Sequence, residues 1–111
     1  MTILDRILPD VRRELEAARE VMPLDELKQR AAAAPVPRDF AGVLTAQGFG
    51  LIAEIKRRSP SMGDMRAENV VAAAAAYEAE PLVRAVSVLT NTTHFGMDMD
   101  DLRRISATST K

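Results

Sequence analysis

The sequence predicts an α/β protein built on a buried parallel sheet, and three observations carry that expectation. Two short runs, Leu51 to Arg57 (LIAEIKR) and Arg84 to Thr90 (RAVSVLT), are rich in apolar and β-branched residues and read as buried strands. Between them, Glu68 to Glu80 contains an unbroken alanine run that strongly favours helix. The order from residue 51 is strand, helix, strand, helix, with crossovers long enough for parallel pairing.

The elements follow in chain order. Ile3, Leu4, Ile7, Leu8, Val11, Leu15, Ala18 and Met22 recur at three- and four-residue steps, the apolar stripe of an amphipathic helix. Pro9 either kinks that helix or sits in the first turn of a shorter one starting near Leu8. Pro23 interrupts the pattern, Leu24 to Ala34 resumes it, and Pro35-Val36-Pro37 enforces an extended connector. Phe40, Val43 and Leu44 suggest a short helical turn stopped around Gly48 and Gly50. Pro81 ends the alanine-rich helix, Asn91 to Gly96 reads as loop, and Asp98 to Ile105 as a last helix. The final six residues, SATSTK, lack an apolar stripe and are expected to fray.

The bulk numbers bound the function classes. A chain of 111 residues is the size of one domain, and 47% hydrophobic with 28% charged residues is a globular composition. Fifteen basic residues against sixteen acidic ones give no overall attraction to nucleic acid or to anionic membrane. No apolar stretch approaches a membrane span. Asp5 and Arg6 interrupt the N-terminus, which does not read as a signal peptide. With no cysteine and one histidine, thiolate zinc sites, a cysteine nucleophile and a multi-histidine metal site within one chain are excluded. Absent cysteine also fits a reducing, cytoplasmic setting.

The chemistry concentrates at residues 51 to 61. In a strand, residues two apart point to the same side, so Ile52, Glu54 and Lys56 share one face. A carboxylate and an ammonium on that face have two readings. One is a salt bridge at a strand end reaching solvent. The other is a ligand site at the carboxyl end of a parallel strand, where α/β sheets and barrels bind their substrates. A buried ion pair adds little stability by itself, which favours the second.

Other candidates have plain structural readings beside the functional ones. His94 could donate a proton or be a polar surface residue. Asp98, Asp100 and Asp101 could hold a cation, but acidic residues opening a helix are explained by capping and the helix dipole. Arg57 and Arg58 read either as a phosphate site or as a solvated strand end. Met62, Met65, Met97 and Met99 are expected to cover the neighbouring core.

The stretch IAEIKRRSPS resembles the first-strand motif of the indole-3-glycerol-phosphate synthase family. The resemblance continues through AYEAE, SVLT, the Phe95-Gly96 loop and DLRR, and on the N-terminal side through ILDRIL, VRREL, PLDEL and PRDF. It covers residues from about 3 to about 105. Met62 after the Ser-Pro-Ser turn, the longer EPLVRA approach to the second strand, and His94 are departures from the family pattern.

The resemblance implies a specific architecture and reaction. The fold would be an N-terminal helical extension (1–47) followed by the first two βα units (48–111) of a (β/α)8 TIM barrel, an incomplete single domain. A whole barrel runs to about 250 residues. The implied activity is a carboxy-lyase step of tryptophan biosynthesis, with no cofactor and no metal. It closes a ring in 1-(2-carboxyphenylamino)-1-deoxyribulose 5-phosphate with loss of carbon dioxide and water. Glu54 and Lys56 match the family's catalytic residues on strand one, Ser59, Pro60 and Ser61 its substrate-contacting turn, and Phe95 an aromatic near the substrate ring. The general acid and base would lie on strands three and five. The implied partners are a phosphorylated small-molecule substrate and either a complementing C-terminal barrel fragment or a second copy joined at open strand edges. Two non-catalytic readings compete: a barrel fragment acting as a binding or assembly module, and a helical interaction protein using the N-terminal stripe.

Overall fold

The computed structural model describes residues 1–65 and 69–111. The chain divides into two compact units, Met1–Pro37 and Arg38–Lys111.

The first unit holds α1 (Ile3–Val21) and α2 (Leu24–Ala33). The helix α1 begins at Ile3 because Thr2 caps it: the Asp5 amide donates to the Thr2 hydroxyl at 3.2 Å, and the Thr2 amide donates to the Asp5 carboxylate at 2.7 Å. The Thr2 backbone bond, followed by its hydroxyl bond, holds the Asp5 carboxyl below the usual carboxylate range. Pro9 lies inside α1, so of the two readings of that proline the shorter helix starting near Leu8 is excluded. Proline here removes one backbone donor while the flanking turns continue. The two helices meet at Met22-Pro23, where proline breaks the run. No residue of α1 or α2 is buried within the unit, and Leu4, Leu8, Val11 and Leu15 stay exposed.

The second unit opens with α3 (Phe40–Thr45), capped by Asp39, whose side chain accepts from the Gly42 amide. The strand β1 (Leu51–Ile55) pairs in parallel with β4 (Val83–Val88), in register Ile52↔Ala85, Ala53↔Val86, Glu54↔Ser87 and Ile55↔Val88. The parallel pairing is as expected, but β1 is not a buried strand: only Ile55 is buried, while Leu51, Ile52 and Glu54 are exposed because no element among the described residues covers that side of it. The crossover between them contains α4 (Asn69–Ala79), and the predicted helix start at Glu68 lies outside the described residues. On one sheet face Ile55 packs with Val70, Met97 and Ile105 into a buried cluster, with Val86 and Val88 against it.

The strand ends two residues before the sequence suggests. After Lys56 the chain turns: the Arg57 amide donates to the Phe95 carbonyl at 3.1 Å, and the Arg57 carbonyl accepts from Met65 at 2.7 Å. An antiparallel hairpin follows, β2 (Arg58–Ser59) against β3 (Gly63–Asp64), with Pro60, Ser61 and Met62 as its loop. Gly63 has φ +68°, a left-handed conformation that a side chain disfavours.

Two further expectations are corrected. Asn91 to Gly96 is not plain loop: Thr92–Phe95 forms the single turn α5, capped by Asn91 and closed by Gly96 at φ +69°. Nor does the SATSTK tail fray. The helix α6 (Met99–Thr108) takes in its first three residues, and the rest docks on α4. The Ser109 and Thr110 hydroxyls donate to the Glu78 carboxylate at 2.7 and 2.5 Å, and the Lys111 ammonium donates to the Tyr77 and Glu80 carbonyls. Those bonds, Thr110 first, hold the Glu78 carboxyl below its ordinary range. Hydroxyls and an ammonium replace the missing apolar anchor. Among the methionines, only Met97 is core, at 1% exposed, whereas Met62, Met65 and Met99 remain open to solvent.

Candidate functional site

The alternation of β1 sends Ile55 into the core and Glu54 to the opposite face. On that face Ile52 is 53% exposed, so Glu54 stands on the uncovered side of the sheet, level with Ser87 of β4. Lys56, one residue beyond the strand, bends back over it. Its ammonium lies 2.8 Å from Oε1 of Glu54. Both side chains keep partial exposure, 30% for Lys56 and 47% for Glu54. The pair is therefore neither a buried structural bridge nor two free surface charges, and it leaves donor and acceptor capacity for a guest.

Glu54 and Lys56 also border a cleft of about 460 Å³ beside the end of β1, shared with Ile55, with Asp64 and Met65 of the hairpin side, and with Val70, Ala73 and Tyr77 of α4, the helix on the covered face. A larger groove of about 660 Å³ lies between α4 and α6, walled by apolar residues such as Val70, Ala74 and Ile105. Arg57, Glu78, Asp101 and Arg104 also line the larger groove, whereas the smaller cleft holds one ammonium, Lys56, beside the carboxylates of Glu54 and Asp64. Among the described residues, no group of three or more His, Asp or Glu could hold a metal ion.

The Ser59-Pro60-Ser61 turn has an internal role. The Ser59 hydroxyl is buried, accepts from the Met62 amide at 3.0 Å and lies 3.4 Å from the Ser61 hydroxyl. Ser59 thus shapes the hairpin loop, while Pro60 and Ser61 are exposed at its tip. Phe95 is half-buried at the end of α5. The His94 amide donates to the Asn91 side chain as part of the cap of α5.

Neither reading of Arg57 and Arg58 describes what they do. The Arg57 guanidinium makes a two-pronged bond to Asp101, 2.7 and 2.8 Å, and a third bond to the Gly96 carbonyl at 3.2 Å. Arg58 donates to the Thr92 and Thr93 carbonyls at 2.6 and 2.9 Å. Both cations are committed to this protein's own oxygens. Asp98 and Asp101 do form the predicted helix cap: each side chain accepts the other's backbone amide at 3.0 Å. Asp101 carries the Arg57 bridge as well. The Arg57 hydrogen bonds outweigh burial and bring the Asp101 carboxyl down to about 2. The 44 positions separating these partners leave no local signal of the pair in the sequence.

Two parallel strands joined by a helical crossover, with one face covered by helices and a charged pair at the carboxyl end of the first, define a protein of βα units. The chain belongs to the indole-3-glycerol phosphate synthase family, whose model matches residues 4–111. It is 43% identical over 107 residues to the indole-3-glycerol phosphate synthase of Saccharopolyspora erythraea, covering 96% of this chain and 40% of that protein. The proteins of the same name from Mycolicibacterium gilvum and Streptomyces griseus are 42% and 41% identical, each over 96% of this chain and 39% and 40% of theirs. The chain thus spans about 40% of the length of the curated relatives it matches. Among the described residues the sheet has two parallel strands and no closed barrel, and no helix is long and apolar enough to cross a membrane.

Proposed function

We propose that this chain is the N-terminal portion of an indole-3-glycerol-phosphate synthase. Residues 1–47 are its helical extension, and residues 48–111 the first two βα units of a TIM barrel. Glu54 and Lys56 contribute to ring closure of 1-(2-carboxyphenylamino)-1-deoxyribulose 5-phosphate in the cytoplasm. The observation that carries this reading is the Glu54–Lys56 pair, 2.8 Å apart at the carboxyl end of β1 and bordering a cleft.

The substrate bears a carboxylate and a phosphate. The Lys56 ammonium supplies an attractive point charge for the carboxylate, strengthened where water is partly excluded. Glu54 orients that ammonium and accepts hydrogen bonds from substrate hydroxyls. The exposed tip of the hairpin at Pro60 and Ser61 and the half-buried Phe95 border the bound substrate, with Ser59 holding the hairpin in shape. Ring closure and dehydration also need a general acid and a general base. These come from later strands supplied by a complementing C-terminal barrel segment, so residues 1–111 alone bind without turning over.

A synthase assay on the purified chain, alone and mixed with a C-terminal barrel fragment of a relative, tests this. The expected result is no turnover alone and turnover in the mixture. Turnover that survives both Glu54→Gln and Lys56→Met would overturn the site assignment.

A further inference from the structure

The end of the second unit opposite Glu54 and Lys56 gathers three cations. Arg38 precedes α3, Arg84 lies at the amino end of β4, and Lys111 belongs to the docked tail. All three line one cavity of about 220 Å³, which shares no lining residue with the cleft beside Glu54 and Lys56. One carboxylate, Asp39, lines it with them, and that group accepts from the Gly42 amide. Phe40, Val43 and Val86 supply the apolar part of the wall.

Each cation is anchored without being saturated. Arg38 donates to the main-chain oxygens of Ser106 and Lys111, both at 2.9 Å. Arg84 donates to the carbonyls of Val43, Ala46 and Gln47, and Lys111 to those of Tyr77 and Glu80. These bonds use two, three and two donors, whereas a guanidinium has five and an ammonium three. The acceptors are main-chain oxygens, and among the described residues none of the three cations forms a salt bridge. Glu78 feels the charge of Lys111 but accepts from Ser109 and Thr110. Like charges held in one small cavity repel, and an anion between them turns that repulsion into attraction, more strongly beside an apolar wall. The arginine fork matches the geometry of a phosphate. The volume lies below the range of about 300–1,000 Å³ typical of pockets for larger organic ligands, so the guest is small.

We infer that Arg38, Arg84 and Lys111 form a binding site for a small oxyanion of the size and charge of inorganic phosphate. Its donors come from three segments distant in the sequence, so occupancy fastens the approach to α3, β4 and the tail together and stabilises the folded second unit. The site is independent of the synthase reading and of the phosphate on the proposed substrate.

The test is a calorimetric titration of the chain with inorganic phosphate at fixed ionic strength, with backbone amide shifts followed by NMR. Saturable binding is expected, with shifts at Arg38, Arg84 and Lys111 and a higher thermal midpoint in phosphate than in chloride. Arg38→Gln and Lys111→Met should each weaken binding by about tenfold, the loss of one charged hydrogen bond. Lys111→Arg keeps the cation and should retain binding, which separates a lost charge from a damaged fold. No saturable binding, or an equal response to chloride, would overturn the inference. So would binding that survives Arg38→Gln and Lys111→Met but is lost in Lys56→Met, because the phosphate would then sit at the other end of the sheet.

Discussion

Asp101 closes the cap of α6 and receives both prongs of Arg57, so its ionised form is tied to the folded state more strongly than that of any other carboxylate with a resolved shift. Its carboxyl is lowered from 3.8 to about 2, and a group depressed on folding stabilises the fold above its unfolded value. That contribution, about 2 kcal/mol, is fully present above roughly pH 4 and disappears as the pH falls towards 2. Acid titration of the unfolding free energy should show this loss, and Asp101→Asn should flatten the curve over the same interval while lowering stability at neutral pH. The Glu54–Lys56 pair makes a different prediction, because its side chains are partly exposed and the proposed function gives it a role toward substrate. In a reconstituted enzyme, Lys56→Met should lower kcat/KM by about a hundredfold or more, the loss of a charge aimed at the substrate. Glu54→Gln should cost about tenfold, with little change in melting temperature for either.

Among the elements, Arg84 of β4 shows how a strand secures the segment before its neighbour. Its guanidinium donates to the carbonyls of Val43, Ala46 and Gln47, satisfying the orphan acceptors at the end of α3. Gly50 makes room for that side chain: a Cβ there would lie 2.4 Å from the Arg84 Cδ, and the tethered guanidinium prevents an easy retreat. Gly50→Ala should destabilise the second unit by about 1–3 kcal/mol, read as a lower urea midpoint at constant slope. Sequence alone marks Gly48 and Gly50 as the stop of a helical turn, but the arginine behind that stop lies on another strand. The same contrast runs through the chain. The alternation of residues 51–55, the alanine run and the acidic start of α6 were legible because each rests on neighbours within a turn or a strand. The turn α5 and the docked tail were not, since partners 31 to 44 positions away hold them, and the hairpin at 58–64 was not, since its paired runs are two residues each. At the candidate site, the Glu54–Lys56 contact followed from a spacing of two. The roles of Ser59, Arg57 and Asp101 needed coordinates.

For the whole molecule, the sheet among the described residues has two strands, each with one neighbour, so each presents a row of unpaired backbone groups. On the face of Glu54, Ile52 adds exposed apolar surface. Residues 1–111 are therefore expected to self-associate through β1 and β4 or to pair with a complementing barrel segment. Sedimentation over a concentration series should show a rising average mass, and adding the C-terminal fragment should suppress it. A monomer at all concentrations with a sharp, cooperative melt would count against this view.

The parallel pairing of β1 with β4 has a consequence for how such a polypeptide matures. Its two strands, the crossover between them and the helix that seals their core follow one another in the chain, from Leu51 to Thr108. During synthesis, domains and their parts can acquire order as they emerge from the ribosome, N-terminal end first. The Ile55–Met97–Ile105 nucleus can settle as soon as α6 has emerged, and the lysine–glutamate couple is aligned once β1 has paired with β4.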